Sequence, residues 1–128
     1  MGNLFAQDSD YLAKANYQTA KRCVELARDQ LVLQKYEEAF DSVEVGLSYD
    51  KDISDLWYLH ALLLEVKKQE VFKQIESVQA ALEKKSWLYY TAEAGRIFYA
   101  KKLLATGNMR KALSVLNEKP ALIQSDAE

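Results

Sequence analysis

Apolar residues recur at helical spacing along most of the chain, and this pattern predicts an all-α protein. The clearest stretch covers residues 36–50. Its apolar side chains form the i, i+4, i+7, i+11 stripe of a buried helix face: Tyr36, Phe40, Val43 and Leu47. Two small residues, Ala39 and Gly46, lie two helical turns apart in the same stretch, so a neighbouring helix can approach closely there. We therefore expect this stretch to be the second helix of a helix–turn–helix unit.

The same periodicity predicts six helices separated by short polar turns. The first should start at the Asp8-Ser9-Asp10 cluster, whose side chains can cap free amides, and run to about Leu33. The others are predicted over residues 36–49, 54–67, 71–84, 87–105 and 109–118. Ser54 or Asp55 is expected to cap the third helix. The fifth should end at Thr106-Gly107-Asn108, because Gly107 can adopt a positive φ.

The inward-facing side chains follow from the same helices. The third helix is apolar over most of its girth, which is typical of a central helix covered on several sides. Leu12 in the first helix and Phe72 in the fourth are expected to point inward. Gly95 lies inside the fifth helix, where a close helix crossing would offset its poor helix propensity. Seven positions are predicted to be buried between helices: Ala27, Ala39, Gly46, Ala61, Leu64, Ala100 and Ala112.

Composition narrows the class of protein further. The chain has 128 residues, enough for one domain with its own core, and only four glycines and one proline, which disfavours a turn-rich β fold. The formal net charge of −2 makes nucleic acid a poor expectation as a partner. No apolar run is long enough to cross a membrane. The single cysteine, Cys23, cannot form an internal disulfide and does not indicate a redox compartment.

The chain also repeats itself. Cys23, Leu26 and Ala27 recur 34 residues later as Trp57, His60 and Ala61. A third copy, Arg96-x2-Tyr99-Ala100-x2-Leu103, is followed by Thr106-Gly107-Asn108 and Ala112-x3-Leu116. Over roughly residues 20–119 the chain resembles the tetratricopeptide repeat (TPR) family. The turn from Gly107 to Ala112 carries the resemblance best.

The resemblance implies a right-handed α-solenoid of stacked antiparallel helix pairs. In that family a small residue late in the second helix, here Gly46, lets the next unit dock. Three units are predicted, over residues 10–50, 53–85 and 87–119, in a domain spanning 10–119. The chain departs from the family pattern at several points. Ala61 and Ala100 are 39 residues apart, so the second unit carries about five extra residues, and Lys73, Gln34 and Lys51 replace the expected alanine, glycine and proline.

The resemblance also implies a ligand groove on the concave side, lined by the first helix of each unit. Carried over position by position, the groove residues are Val24, Arg28 and Leu31, then Tyr58, Leu62 and Glu65, then Ile97, Lys101 and Leu104. The strongest candidates for partner binding are Arg28, Tyr58, Leu62, Glu65, Ile97 and Lys101. Val24 and Arg28 replace the lysine and asparagine with which part of the family grips a C-terminal carboxylate, so that specificity is not expected.

No pattern of residues indicates catalysis, a cofactor or a metal site. His60, the only histidine, occupies an apolar slot of the repeat and has no second metal ligand at suitable spacing, so we expect it to be packed. Cys23 occupies the slot of a tryptophan and is expected to be a buried, inert thiol. The glycines are scattered, which excludes a phosphate-binding loop. Trp87, Tyr89 and Tyr90 cluster and serve either helix packing or a contact surface.

The leading functional hypothesis is a non-catalytic scaffold that binds a peptide or partner protein in the groove. One alternative is a structural module whose apolar stack end pairs with a second copy or with the rest of a longer repeat protein. Another is a small apolar ligand between the helices. The tail, residues 120–128, is interpreted as the start of a further repeat, or as a segment that folds back over the last helix.

The first nine residues are the remaining open point of the sequence. Residues 1–9 are predicted to be a leader, either frayed or the remnant of a secretion signal at Leu4-Phe5-Ala6-Gln7. The first alternative favours the cytoplasm and the second an exported protein.

Overall fold

The structure, a computed structural model, describes the backbone of residues 2–118 and the side chains of residues 9–118. The described residues form six α-helices and contain no strand. The helices are α1 (Gly2–Val32), α2 (Tyr36–Tyr49), α3 (Ser54–Val66), α4 (Val71–Lys84), α5 (Ala92–Ala105) and α6 (Met109–Leu116). Each helix packs against the next along the chain, and α1 also contacts α3. The predicted all-α class and the number of helices are confirmed. The tail, 120–128, lies outside the described residues.

The turns between helices repeat at the intervals seen in the sequence. Gln34, Lys68 and Gly107 all have positive φ, at 60°, 57° and 84°, and each follows the end of α1, α3 or α5. They are separated by the same 34 and 39 residues that separate Ala27, Ala61 and Ala100. A left-handed residue here lets the next amide bond back to a carbonyl of the last helical turn, as Asn108 N does to Leu103 O at 2.9 Å. The internal repeat is therefore present in the backbone as well as in the sequence.

The predicted start of the first helix is wrong. Asp8, Ser9 and Asp10 lie within α1, whose backbone is helical from Gly2, so the predicted leader 1–9 is largely part of this helix. The stretch from Asn3 to Gln7 contains no proline, glycine or β-branched residue that would stop a helix from extending. Residues 9–15 are exposed, including Leu12, which was expected to point inward. Within the part of the chain that the structure describes, no other helix buries these residues of α1.

All seven positions predicted to be buried are buried, and the core forms two clusters. The first joins α1, α2 and α3: Ala20, Val24, Ala27, Ala39, Val43, Leu47, Ile53, Leu56, Leu59 and Leu63. The second joins α3, α4, α5 and α6: Ala61, Ile75, Val78, Phe98, Tyr99, Ala100, Leu103 and Ala112. Because α3 contributes to both clusters, it is central, as its wide apolar girth predicts.

Phe72 is exposed rather than inward-facing. The inner face of α4 runs through Val71, Gln74, Val78 and Ala81. Phe72 follows Val71 by one residue and is therefore turned about 100° away from that face.

Gly46 lies where α1, α2 and α3 approach most closely. A Cβ at this position would lie 2.8 Å from Leu56 Cδ2 on α3 and 3.0 Å from Cys23 Cβ on α1. No side chain fits there without displacing a neighbour, which is the docking role predicted for this glycine. A Cβ at Gly95 would lie 3.2 Å from both Leu82 Cδ2 and Trp87 Cη2. Gly95 therefore also marks a close approach, made by α4 and the connection that follows it.

Candidate functional site

The start of the fifth helix differs from the prediction, and the difference changes the candidate groove. Residues 85–91 are not helical, and α5 begins only at Ala92, capped by Thr91, whose Oγ1 accepts from Ala94 N at 3.1 Å. We call residues 85–91 the crossing segment. It contains the extra residues of the second unit, and it crosses from the end of α4 to the starts of α3 and α5 and to the side of α1.

Asp55 fixes the backbone of the crossing segment. Its carboxylate is fully buried and accepts three backbone hydrogen bonds, from Leu88 N at 2.7 Å, Tyr89 N at 2.8 Å and Tyr90 N at 2.9 Å. The three amides therefore donate to a side chain of α3, and the helix start predicted at Trp87 is wrong, since α5 begins at Ala92. The predicted capping role of this aspartate is wrong, since no side chain caps α3 and its N-cap residue is Ile53.

Ser54 provides a second attachment for the crossing segment. Its backbone N donates to Ser86 O at 2.9 Å, and its Oγ accepts from Ser86 N at 2.9 Å. The serine was an alternative candidate for the cap of α3, and it too bonds to the segment instead. The Ser54-Asp55 pair therefore binds a chain segment more than thirty residues away, a role that local sequence patterns do not indicate.

The side chains of the crossing segment cover two of the predicted groove residues. The Arg28 guanidinium lies 4.4 Å from the ring centroid of Tyr89 and 5.5 Å from that of Tyr90. Tyr89 also donates its hydroxyl to the carboxylate of Glu25. The Tyr58 ring lies 5.0 Å from the Tyr90 ring. Arg28 and Tyr58 thus contact this protein's own chain, and cation–π and aromatic packing stabilise those contacts.

The other groove positions of the first two units are also largely occupied. Val24 is fully buried in the first core cluster, so its expected groove position is wrong. Leu31 and Leu62 are half-buried and pack against the core. Glu65, on α3, forms an ion pair with Lys102 of α5.

The third unit is different, because its groove positions are open. Ile97 is 41% exposed and Leu104 is 49% exposed, and Lys101 between them is also exposed. The three residues lie at i, i+4 and i+7 on α5, so they form one continuous stripe. We call this stripe the α5 face. Ile97 and Lys101 are therefore the two candidate partner-binding residues that lie on the exposed α5 face.

His60 forms a hydrogen-bonded chain that sequence spacing does not reveal. Its Nδ1 lies 2.6 Å from Ser77 Oγ on α4, and its Nε2 lies 3.3 Å from Glu44 Oε1 on α2. Burial lowers the pKa of His60, while the charge of Glu44 and its hydrogen bond act in the opposite direction. Ser77 is only 4% exposed, whereas Glu44 is exposed. Because the hydroxyl faces the interior, the arrangement joins three helices and does not present a nucleophile to solvent.

Cys23 is half-buried on α1, and burial raises the pKa of its thiol. The neutral thiol is therefore favoured, and the neutral thiol is the less reactive form. Among the described residues, no group of histidine, cysteine, aspartate or glutamate side chains has an arrangement that could hold a metal ion. Within the same residues, none of the helices combines the length and hydrophobicity that crossing a membrane requires.

A cleft of about 740 Å³ lies between α4, the crossing segment, α5 and the end of α6. Leu82, Trp87 and Val115 supply apolar walls, and Arg96 and Glu118 supply charges of opposite sign. Tyr99 and Gln79 also line the cleft and bond to each other at 2.8 Å. Its charges balance, so the cleft indicates no particular class of ligand.

Comparisons with protein-family models, with curated proteins and with solved structures return no match to this chain.

Proposed function

We propose that this protein is a non-catalytic interaction scaffold of the TPR type, a solenoid of helix pairs that binds a peptide or partner protein along its first helices. The observation that carries the proposal is the open α5 face, with Ile97 and Leu104 about half exposed on either side of Lys101. When a helix is otherwise packed, apolar residues along its exposed face are normally covered by another part of the chain or by a partner.

The binding surface we propose is narrower than the one expected from the sequence. Arg28 and Tyr58 are engaged by Tyr89 and Tyr90 of the crossing segment, so a ligand would have to displace that segment to reach them. Displacement would also break the three backbone bonds to buried Asp55, and bonds to a charged group are among the stronger ones. We therefore assign partner contact to the α5 face, with Ile97 and Lys101 as its central residues.

The test replaces the two apolar residues of the α5 face together, by Ile97→Asp and Leu104→Asp. Leu26 and Leu33 provide a control, because they are also exposed aliphatic residues seven positions apart, Leu26 on α1 and Leu33 directly after its end. Each pair is changed to aspartate, and proteins captured from the native source are quantified with wild type and both variants. We expect partner recovery to fall about tenfold or more for the α5 pair only. Equal recovery by all three proteins, with unchanged thermal unfolding, would contradict the proposed site.

A further inference from the structure

A second apolar stripe lies on α6, away from the α5 face. Met109, Leu113 and Leu116 are 64%, 55% and 47% exposed and lie at i, i+4 and i+7. The residues of α6 that pack inward are Ala112 and Val115. At about 100° per residue, the stripe lies roughly a quarter of a turn from that inner face, on the side of the helix. We call this stripe the α6 side.

The α2 helix has a side equivalent to the α6 side, and another helix covers it. Both helices begin two residues after a positive-φ residue, Gln34 or Gly107, and both bury an alanine at their fourth position, Ala39 or Ala112. In this alignment Met109, Leu113 and Leu116 correspond to Tyr36, Phe40 and Val43.

On α2 that side is covered by α3. Val43 is fully buried in one cluster with Leu56, Leu59 and Leu63 of α3, and the Phe40 ring lies 5.3 Å from the His60 ring. The α6 side is therefore shaped like a surface that receives an amphipathic helix.

The charges around the α6 side specify the partner further. Residues 92–118 carry five lysine or arginine residues and two glutamates, which gives a net charge of +3. Residues 1–91 carry 11 lysine or arginine residues and 15 aspartate or glutamate residues, which gives a net charge of −4. Arg110 is exposed on α6 about a quarter of a turn from the stripe, whereas Lys111 lies on the opposite side of the helix. Complementary charge favours encounter and orientation, so acidic residues on the docking helix are expected.

A second copy of this chain fits the α6 side poorly. The 34-residue interval of the repeat relates α3 to α1. By this interval Leu56, Leu59 and Leu63 correspond to Arg22, Glu25 and Asp29, which are charged and exposed. Head-to-tail stacking would therefore place charged residues on the α6 stripe.

We infer that the α6 side binds an amphipathic helix of another protein, with leucine-like residues on one face and acidic residues flanking them. This deepens the scaffold proposal by adding a partner class and a second surface, and it depends on residues that the α5-face test leaves unchanged.

The test uses two synthetic helical peptides with leucines at the spacing of Leu56, Leu59 and Leu63. One peptide carries glutamates at the flanking positions and the other carries lysines. Binding to the full chain is measured by fluorescence anisotropy. We expect the acidic peptide to bind at least about tenfold more tightly than the basic one. Leu113→Glu and Arg110→Glu should each weaken the acidic peptide's binding, whereas Val45→Glu and the Ile97→Asp, Leu104→Asp pair should not.

Four results would overturn the inference. The first is no binding of the acidic peptide, or equal binding of both peptides. The second is binding that Leu113→Glu leaves unchanged in a protein with unaltered thermal unfolding. The third is a concentration-dependent doubling of mass in sedimentation that Leu113→Glu abolishes, which would assign the surface to a second copy. The fourth is hydrogen exchange in Met109–Leu116 as slow as in Trp57–Leu64 of the dilute monomer, which would assign it to residues 119–128 of the same chain.

Discussion

The buried carboxylate of Asp55 accepts a backbone hydrogen bond from Tyr90 at 2.9 Å, across 35 residues of chain. This contact and its two neighbours from Leu88 and Tyr89 hold the crossing segment over α3. Replacing Asp55 by alanine leaves three part-buried amides without this acceptor, and we expect the free energy of unfolding to fall by about 3 kcal/mol.

Urea unfolding followed by circular dichroism measures this loss. Asp55→Asn should cost less than Asp55→Ala, because the amide oxygen can still accept some of the bonds. Asp52→Ala, at an exposed position, serves as the control and should change stability little. Similar values for Asp55→Ala and Asp52→Ala would show that the three bonds contribute nothing to stability.

Gly46→Ala tests the close approach of the first three helices. Alanine gains about 1 kcal/mol over glycine in a helix interior. The new Cβ would meet Leu56, which is fully buried, and the Cβ of Cys23, and overpacking of this kind costs about 1–3 kcal/mol. We expect a net loss in thermal or urea unfolding, and a larger loss for Gly46→Val. Gly95→Ala is the matched control, since its nearest atoms belong to half-buried Leu82 and Trp87 at 3.2 Å; a loss as large at Gly95 would argue against crowding as the cause.

The left-handed turn residues predict stabilising substitutions. Gln34 and Lys68 have positive φ without being glycine, a conformation that costs a side-chain-bearing residue about 1 kcal/mol. Gln34→Gly and Lys68→Gly should therefore each raise the free energy of unfolding by about 0.5–1 kcal/mol. The reciprocal change Gly107→Ala should lower it by a similar amount, since a Cβ there meets nothing within 4 Å and only the backbone is strained. Changes of the opposite sign in urea unfolding would contradict the argument.

His60 should make stability depend on pH. Burial lowers its pKa in the folded protein below the ordinary value of 6.5, so the unfolded chain takes up the proton first on acidification. The contribution of neutral His60 is therefore fully present above pH 6.5 and is lost as the pH falls below it toward the lower folded pKa. Unfolding free energies measured between pH 7.5 and 5.5 should decrease, and His60→Gln should flatten the curve. If the free energy of unfolding of the wild-type protein does not change over this pH range, the prediction is wrong. Glu44 would then offset the effect of burial on the pKa of His60.

The sequence by itself determined the helices and most of the buried positions. Helical periodicity is a local property, which is why Ala27, Ala39, Gly46, Ala61 and Ala112 could all be assigned to the core before any contact was seen. The repeat intervals also match the turns, because the left-handed residues Gln34, Lys68 and Gly107 lie at equivalent positions after α1, α3 and α5. Phe72 was misplaced because a shift of one residue in a helix changes the face on which a side chain lies.

Only the tertiary structure decided which of the predicted groove residues are exposed. Asp55 on α3 binds the amides of the crossing segment more than thirty residues away, a contact that local sequence patterns do not indicate. The same holds for the His60 chain, whose three members come from three helices. The exposure of the α5 face and the α6 side also depends on contacts between distant residues, because a helix surface is exposed only where no other part of the chain packs against it.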